Sequence, residues 1–284
     1  ELHARLAERY GGDVTEVCEV SNDLPQTFLR ANPALAPCRG ALLDTLRQRG
    51  LDAEPAKDAP LGIRVVGEHA AKVTQLGEYF DGIFEIQDES SQLIAELVQC
   101  APGDVVVDLC SGAGGKALAV LPRLGASGAL VLHDVRASSL RAAEDRLRRA
   151  SAGGAATAVE AAAPRCHVER SAVKLRQRWA GGADWVLVDV PCSNSGSLRR
   201  HPECKYRLFE DAGMPGLAEL VVVQQVLLRQ AKELLRDGGA IVYSTCSLLF
   251  EENEAQVDWA AQELGLRPAA GAAAAGGFVG CFPP

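Results

Sequence analysis

The sequence predicts an α/β protein: a mainly parallel sheet with helices on both faces, preceded by a small α+β unit. Two observations lead there. From Ile83 onward, short β-rich runs alternate with longer stretches of helical periodicity, and parallel strands require such crossover connections. One run, Val105-Val106-Val107-Asp108, leads into a glycine-rich turn and then a helix, the arrangement at the ligand-binding edge of open α/β sheets.

Residues 1–82 hold a helix-like start, a polar turn at Ser21-Asn22-Asp23-Leu24-Pro25, and short apolar segments at 27–30 and 62–66. They read as the small α+β unit. Residues 83–284 form the second unit, with strands at 105–108, 129–134, 185–189 and 240–244. Helical periodicity fills 89–98, 138–150, 217–235 and 251–264. The small-residue segment 151–163 reads as a loop. A similar segment, 269–277, links the last helix to a final short strand near 277–282.

The chain has 284 residues, 48% apolar and 23% charged, enough for one large domain plus an appendage. No apolar run reaches membrane-spanning length. Residue 1 is Glu in a polar, helix-like start, which carries no signal-peptide pattern; without an initiator Met, a segment ahead of it stays open. The net charge of −8 argues against a nucleic-acid partner on average, although a local basic strip can still hold RNA. The nine cysteines are irregularly spaced with no CxxC pair, so neither a metal site nor a disulfide framework is expected. Reduced thiols fit an intracellular compartment, cytoplasmic or organellar.

The turn Cys110-Ser111-Gly112-Ala113-Gly114-Gly115-Lys116 lets the backbone approach a ligand closely. It is not a Walker A loop, because Ala117 follows the lysine and the glycine spacing differs. Taken alone it fits a dinucleotide site, or a ligand-free turn. Asp134 ends the next strand, where a carboxylate can accept from both hydroxyls of a ribose or cap the following helix. Together, loop and acid favour a nucleoside-bearing cofactor.

Two cysteines follow apolar strands, Cys192 in Asp189-Val190-Pro191-Cys192-Ser193 and Cys246 in Tyr243-Ser244-Thr245-Cys246-Ser247. A single cysteine is ordinarily a small buried hydrophobe. Carboxyl ends of parallel strands share one edge, however, so Cys192, Cys246, Asp189, Asp134 and the glycine turn are expected in one crevice. Arg199, Arg200, Lys205 and Arg207 surround Tyr206 just after Cys192. These cations and the aromatic suit phosphates and a stacked base, or a solvated loop. A second basic run, Arg141, Arg146, Arg148 and Arg149, reads as the solvated face of its helix.

These motifs, in this order, resemble the Sun-type (NSUN, also called Fmu) family of RNA 5-methylcytosine methyltransferases. The resemblance also rests on Leu24–Asn32, Gly82–Gln92, His201–Tyr206, Gly238–Leu248 and Glu251-Glu252-Asn253-Glu254. It implies a Rossmann-like methyltransferase sheet that binds S-adenosylmethionine and an N-terminal unit like an RNA-recognition motif. Cys246 would attack C6 of cytosine, Cys192 would aid product release, Asp189 would contact the base and the methyl-donor region, Asp134 would hold the cofactor ribose, and Lys116 would support the loop. The substrate would be RNA, by family analogy ribosomal RNA, free or in assembly intermediates. Three features depart from the family. Ser111-Gly112-Ala113-Gly114 stands where the family reads Ala-Ala-Pro-Gly, and Val190 replaces an Ala. Ser171, with Glu169 close by, stands where an Asp contacts the adenine amine, so adenine is held differently or cofactor binding is weakened. The alternatives are a weak or inactive paralogue acting as an RNA-binding ribosome-assembly factor, a DNA cytosine-5 methyltransferase attacking with Cys192, and a dinucleotide enzyme, which leaves both cysteines unexplained.

Overall fold

The computed structural model describes residues 1–36, 38–151, 164–207, 216–267 and 280–282. Two short helices, α1 (Leu2–Tyr10) and α2 (Val14–Asn22), open the chain. A β-α-β-β-α-β unit follows: β1 (Thr27–Ala31), α3 (Arg39–Gln48), β2 (Ala53–Pro55), β3 (Gly62–Val65), α4 (Gly77–Phe80) and β4 (Phe84–Ile86). Its strands pair antiparallel in the order β2-β3-β1-β4. Side chains alternate across a strand, so Leu29, Ala31, Ile63, Val65 and Phe84 share one face and bury Leu42, Leu43 and Leu46 of α3 against it.

The second unit runs α5 (Glu89–Glu96), β5 (Val105–Asp108), α6 (Gly115–Val120), β6 (Ala129–His133), α7 (Ala137–Ser151), β7 (Arg165–Glu169), α8 (Ala172–Trp179), β8 (Ala183–Asp189), α9 (Cys204–Arg207), α10 (Leu217–Leu234), β9 (Leu235–Ser244), α11 (Glu254–Leu264) and β10 (Gly280–Phe282). Strands β9-β8-β5-β6-β7 lie parallel in that order, and β10 pairs antiparallel to β9 at the edge. Helices α5, α6 and α7 cover one face and α8, α10 and α11 the other. The chain moves to opposite sides of β5 for β6 and β8, which opens a crevice at the carboxyl ends of these strands. No helix among the described residues is long and apolar enough to cross a membrane. The expected loop at 152–163 and linker at 269–277, with residues 277–279 of the last strand, lie outside the described residues.

The division of the chain differs from the one expected at residue 82. β4 belongs to the first sheet. Helix α1 packs instead on the second unit, where Leu2 and Leu6 join Leu220 and Leu249, and Arg9 donates to both carboxylate oxygens of Glu254. Gly82 marks the seam: it has φ +72°, and a Cβ there would lie 2.3 Å from the Arg149 carbonyl oxygen.

The basic run on α7 also needs correction. Arg141 and Arg148 are exposed, as expected, but Arg146 and Arg149 both ion-pair with Glu85, which is 2% exposed, at 2.8 and 2.6 Å. Glu85 and its cross-strand neighbour Arg30 sit on the face of the first sheet opposite α3, and that face docks on the second unit. Arg30 is buried and donates to Gln87 Oε1 at 2.6 Å; burial pulls its guanidinium down to about 10. Periodicity shows which face of a helix is polar, not whether another unit covers it. Removing one member of a buried ion cluster strands the rest. Glu85→Ala is therefore expected to lower unfolding stability by about 2 kcal/mol, discounted because the arginines keep some solvent. Denaturant unfolding measures this, and wild-type stability in the variant would contradict it.

Candidate active site

The glycine turn leaves β5 as a tight arch. Ser111 N–H donates to the His133 carbonyl at 2.9 Å, tying the arch to β6. Gly112 and Gly114 take φ of +52° and +77°, a region that disfavours side chains. Gly112 N–H donates to Asp134 Oδ2 at 2.9 Å, and Arg146 donates to the Ala113 carbonyl at 3.1 Å. Asp134 thus stands at the end of β6 facing the arch, as expected. Its carboxylate also accepts from Arg136, from the backbone N–H at 2.8 Å and from the guanidinium at 3.1 and 3.2 Å. Burial would raise its pKa, but these bonds hold it below the usual carboxylate range. One carboxylate thus accepts both from the arch and from Arg136, just ahead of α7.

Lys116, in the first turn of α6, reaches across the crevice to Asp189 Oδ2 at 2.6 Å. Asp189 Oδ1 accepts from Ser244 Oγ at 2.9 Å. Asp189 and Ser244 are register partners of β8 and β9, so the loops after these strands start side by side. Gly196 N–H then donates to the Cys246 carbonyl at 2.8 Å, and a Cβ on Gly196 would sit 2.9 Å from that oxygen. The outcome is a sulfur pair: Cys192 Sγ and Cys246 Sγ are 3.1 Å apart. Cys246 is exposed and Cys192 half-buried. Asn194 Oδ1 lies 2.6 Å from Cys246 Sγ. Asn194 is the one non-glycine residue with positive φ among the described residues, at +56°.

The two thiols differ electrostatically. The hydrogen bond from Cys192 pulls the Cys246 thiol below its ordinary value; burial opposes this, and the Ser197 hydroxyl and the Lys116 ammonium assist. The same bond, then burial, push Cys192 well above its ordinary value. A thiolate is the nucleophilic form of cysteine, and of the two thiols Cys246 is the easier to ionise.

The family profile described as 16S rRNA methyltransferase RsmB/F matches residues 95–266, which include the arch, Asp134, Asp189 and both sulfurs. The chain belongs to the RsmB/F family. Ribosomal RNA small subunit methyltransferase B of Photorhabdus laumondii is 30% identical over 260 residues, covering 90% of this chain and 56% of the relative. Its namesake in Escherichia coli O139:H28 is 31% identical over 258 residues, with the same coverage. The chain spans about half the length of the curated relatives it matches. Among solved structures, NSun6 from Pyrococcus horikoshii with SFG has TM-score 0.77 at 18% identity, covering 95% of this chain and 88% of that one. A methyltransferase homologue from the same organism has TM-score 0.74 at 24% identity, covering 94% and 80%. Both share the fold.

Within this RsmB/F chain the other expected site residues fall as follows. Cys110 is half-buried, its thiol pushed up by burial and by nearby carboxylates. Ser171 caps α8, accepting from Lys174 N–H at 3.4 Å. Arg199, Lys205 and Tyr206 are exposed, with the Lys205 ammonium 5.1 Å from the Tyr206 ring centroid. Arg200 is engaged: it donates to the Gln26 carbonyl at 2.7 Å and to Asp88 at 2.8 Å, tying the strip to the first unit. The side chain of Arg207 lies outside the described residues. No group of His, Cys, Asp or Glu among the described residues could hold a metal ion.

Sequence reading missed Asp108, which ends β5 beneath the arch. Burial, reinforced by the charge of Asp189, pushes its carboxyl up to about 8, and its Oδ1 has no partner. An acid closing an all-apolar strand was the available signal. It also missed Arg136 and Asn194, which no spacing marks.

Cys246 should be alkylated by iodoacetamide ahead of Cys192. Cys192→Ala removes the main donor to the Cys246 sulfur, so the midpoint of its rate–pH curve should move to higher pH. Site-resolved mass spectrometry across pH reads this out, and an unmoved midpoint contradicts the assignment.

Proposed function

We propose that this chain methylates C5 of a cytosine in ribosomal RNA, with S-adenosylmethionine as methyl donor and Cys246 as nucleophile. The observation that carries this reading is the 3.1 Å sulfur pair beside a glycine arch and an ion-paired aspartate. A DNA-type mechanism would attack with Cys192, whose thiol is the harder to ionise. A plain dinucleotide enzyme has no use for either sulfur.

The residues fit the cofactor. Two polar atoms under the arch, Asp108 Oδ1 and Ser111 Oγ, are buried without partners, and an unpartnered buried polar atom is costly unless something bound satisfies it. Asp134 would hold the ribose, Ser171 would lie near the adenine end, and the arch from Cys110 to Gly115 would wrap the remainder. When bound, the cofactor supplies an electrophilic methyl group at the crevice. Cytosine C5 is a weak nucleophile. Bonding of the Cys246 sulfur to C6 moves the ring electrons toward C5 and N3, and C5 becomes enamine-like. Lys116 donates to Asp189 at 2.6 Å, and the pair can satisfy the charge growing at N3. After methyl transfer a base takes the C5 proton, the C5–C6 double bond re-forms, and the Cys246 sulfur leaves with its electron pair. A proton from the neighbouring Cys192 would stabilise that leaving sulfur.

The base must leave its stack to reach this crevice. Arg199, Lys205 and Tyr206 are exposed on the segment that follows Cys192, suited to phosphates and a stacked base. The first unit adds a further RNA contact in this reading. Ribosomal RNA, free or in assembly intermediates, is the partner, in the cytoplasm or an organelle.

A second reading, a weakened paralogue that binds RNA during ribosome assembly, is favoured by one observation: Arg136 already occupies Asp134. Calorimetry with S-adenosylmethionine separates the two. Binding is expected, tighter in Arg136→Ala, and absence of heat in both proteins would favour the assembly role. For the principal reading, a 16S rRNA transcript with S-adenosylmethionine is the assay. Cys246→Ala should give neither methylation nor a covalent protein–RNA band, while Cys192→Ala should accumulate the band. Normal turnover by Cys246→Ala would sink the assignment.

A further inference from the structure

The motif Glu251-Glu252-Asn253-Glu254 has no part in the chemistry described so far. Its four side chains divide into two pairs. The outer two face the first helix: Glu251 pairs with Arg5 and Glu254 with Arg9. The inner two are buried, Glu252 at 0% and Asn253 at 3% exposure.

We propose that Glu252 and Asn253 are positioning residues, each clamping one of the two cysteine loops so that the sulfurs of Cys192 and Cys246 are held in contact. Glu252 Oε1 accepts from the backbone N–H of Ser193, the residue after Cys192, at 2.8 Å, and from Gln224 Nε2 at 3.0 Å. Asn253 Oδ1 accepts from Thr245 Oγ1 at 2.6 Å, and its Nδ2 donates to the Ser247 and Leu249 carbonyls at 3.0 and 2.9 Å. Thr245 and Ser247 flank Cys246 on either side. One buried dipeptide therefore grips both loops.

Two features set this apart from ordinary packing. Asn253 occupies the N-cap position of α11, where an Asn side chain ordinarily accepts a backbone N–H of its own helix. It makes no such bond; the carboxamide turns to the Cys246 loop instead. Glu252 is a carboxyl group wholly removed from water whose Oε2 has no partner. Such burial is unfavourable, and a leucine of similar size would pack there without it. Between the loops, the hydroxyls of Ser193, Ser195 and Ser247 contact one another at 3.0 to 3.1 Å, so a shift in one loop is felt by the other.

The inference rests on the reading of Cys246 as attacking thiol and Cys192 as release thiol, and its test has one arm that needs no RNA. Diamide takes up two protons and two electrons from a pair of thiols within reach, leaving a disulfide. In the intact chain it should link Cys192 to Cys246 quickly, as peptide mapping reads it. Misplacement of reacting groups by about 1 Å can slow a reaction by about 100-fold. Glu252→Ala and Asn253→Ala should accordingly slow this disulfide by at least about tenfold, and Glu252→Gln, which keeps an oxygen for Ser193 N–H, should recover it. On a 16S rRNA transcript with S-adenosylmethionine, Glu252→Ala should accumulate the covalent band as Cys192→Ala does, and Asn253→Ala should form none. Cooperative thermal unfolding shows that each variant is folded. If either alanine variant is not folded, Thr245→Val, at a partly exposed site, removes the hydrogen bond to Asn253 and should slow the disulfide in the same direction. Folded variants that cross-link at the wild-type rate overturn the clamp. A Cys192→Ala chain that never forms the RNA band overturns the methyltransferase reading instead, and the disulfide rates of the other variants still decide the clamp.

Discussion

The parallel pairing of β8 with β9 is the constraint on which the rest of the site depends. Register alone sets Asp189 beside Ser244, and from that point two loops leave the sheet together. The backbone bond from Gly196 to the Cys246 carbonyl and the bond from Leu248 N–H to Ser195 Oγ keep them together beyond the strand ends. A slip of one residue would turn every side chain of β9 to the other face and carry Cys246 away from Cys192. The apolar contacts that fix this register, Val186, Leu187 and Val188 against Ile241, Val242 and Tyr243, are all buried. Core packing and reactive geometry are therefore one problem in this protein.

The electrostatics follow from the same edge. Asp108, Asp189 and Asp134 all end strands within one crevice, and three carboxyl groups cannot share it equally. Lys116 neutralises one, Arg136 holds another, and the third, most deeply buried, retains its proton up to about 8. A thiol in the midst of these acids would ordinarily be harder to ionise. Cys246 escapes because a second thiol and the Ser197 hydroxyl donate to it.

Much of this arrangement was legible in the chain. Val105-Val106-Val107 and Trp185-Val186-Leu187-Val188 could hardly be anything but central strands, and the glycine turn announced the edge where ligands bind. The two cysteines followed from chain topology once both were placed at strand ends. What escaped has a common physical cause. β7 begins with Arg165-Cys166-His167, a half-exposed edge strand with no apolar run to reveal it. Arg146 and Arg149 look like solvent-facing residues of a helix, and only the docked sheet turns them inward. Asn194 and Glu252 meet their partners across segments far apart in sequence, to which local pattern is blind. Boundaries failed for the same reason: α1 is sequence-adjacent to the first sheet yet packs on α10 and the turn before α11.

The docked face of the first sheet has one more consequence. In a four-stranded antiparallel sheet backed by helices, the bare face over the two central strands is the natural platform for flat ligands. Here Arg30 on β1 and Glu85 on β4 spend that face on holding the molecule together. Phe28 and Arg64, facing each other across β1 and β3, remain half-exposed on it, as does Glu54 of β2, which pairs with Arg64. On the proposed function, an RNA strand meeting this face would find one half-exposed ring, Phe28, beside an already paired Arg64, so the recognition of bases would fall to other parts of the molecule.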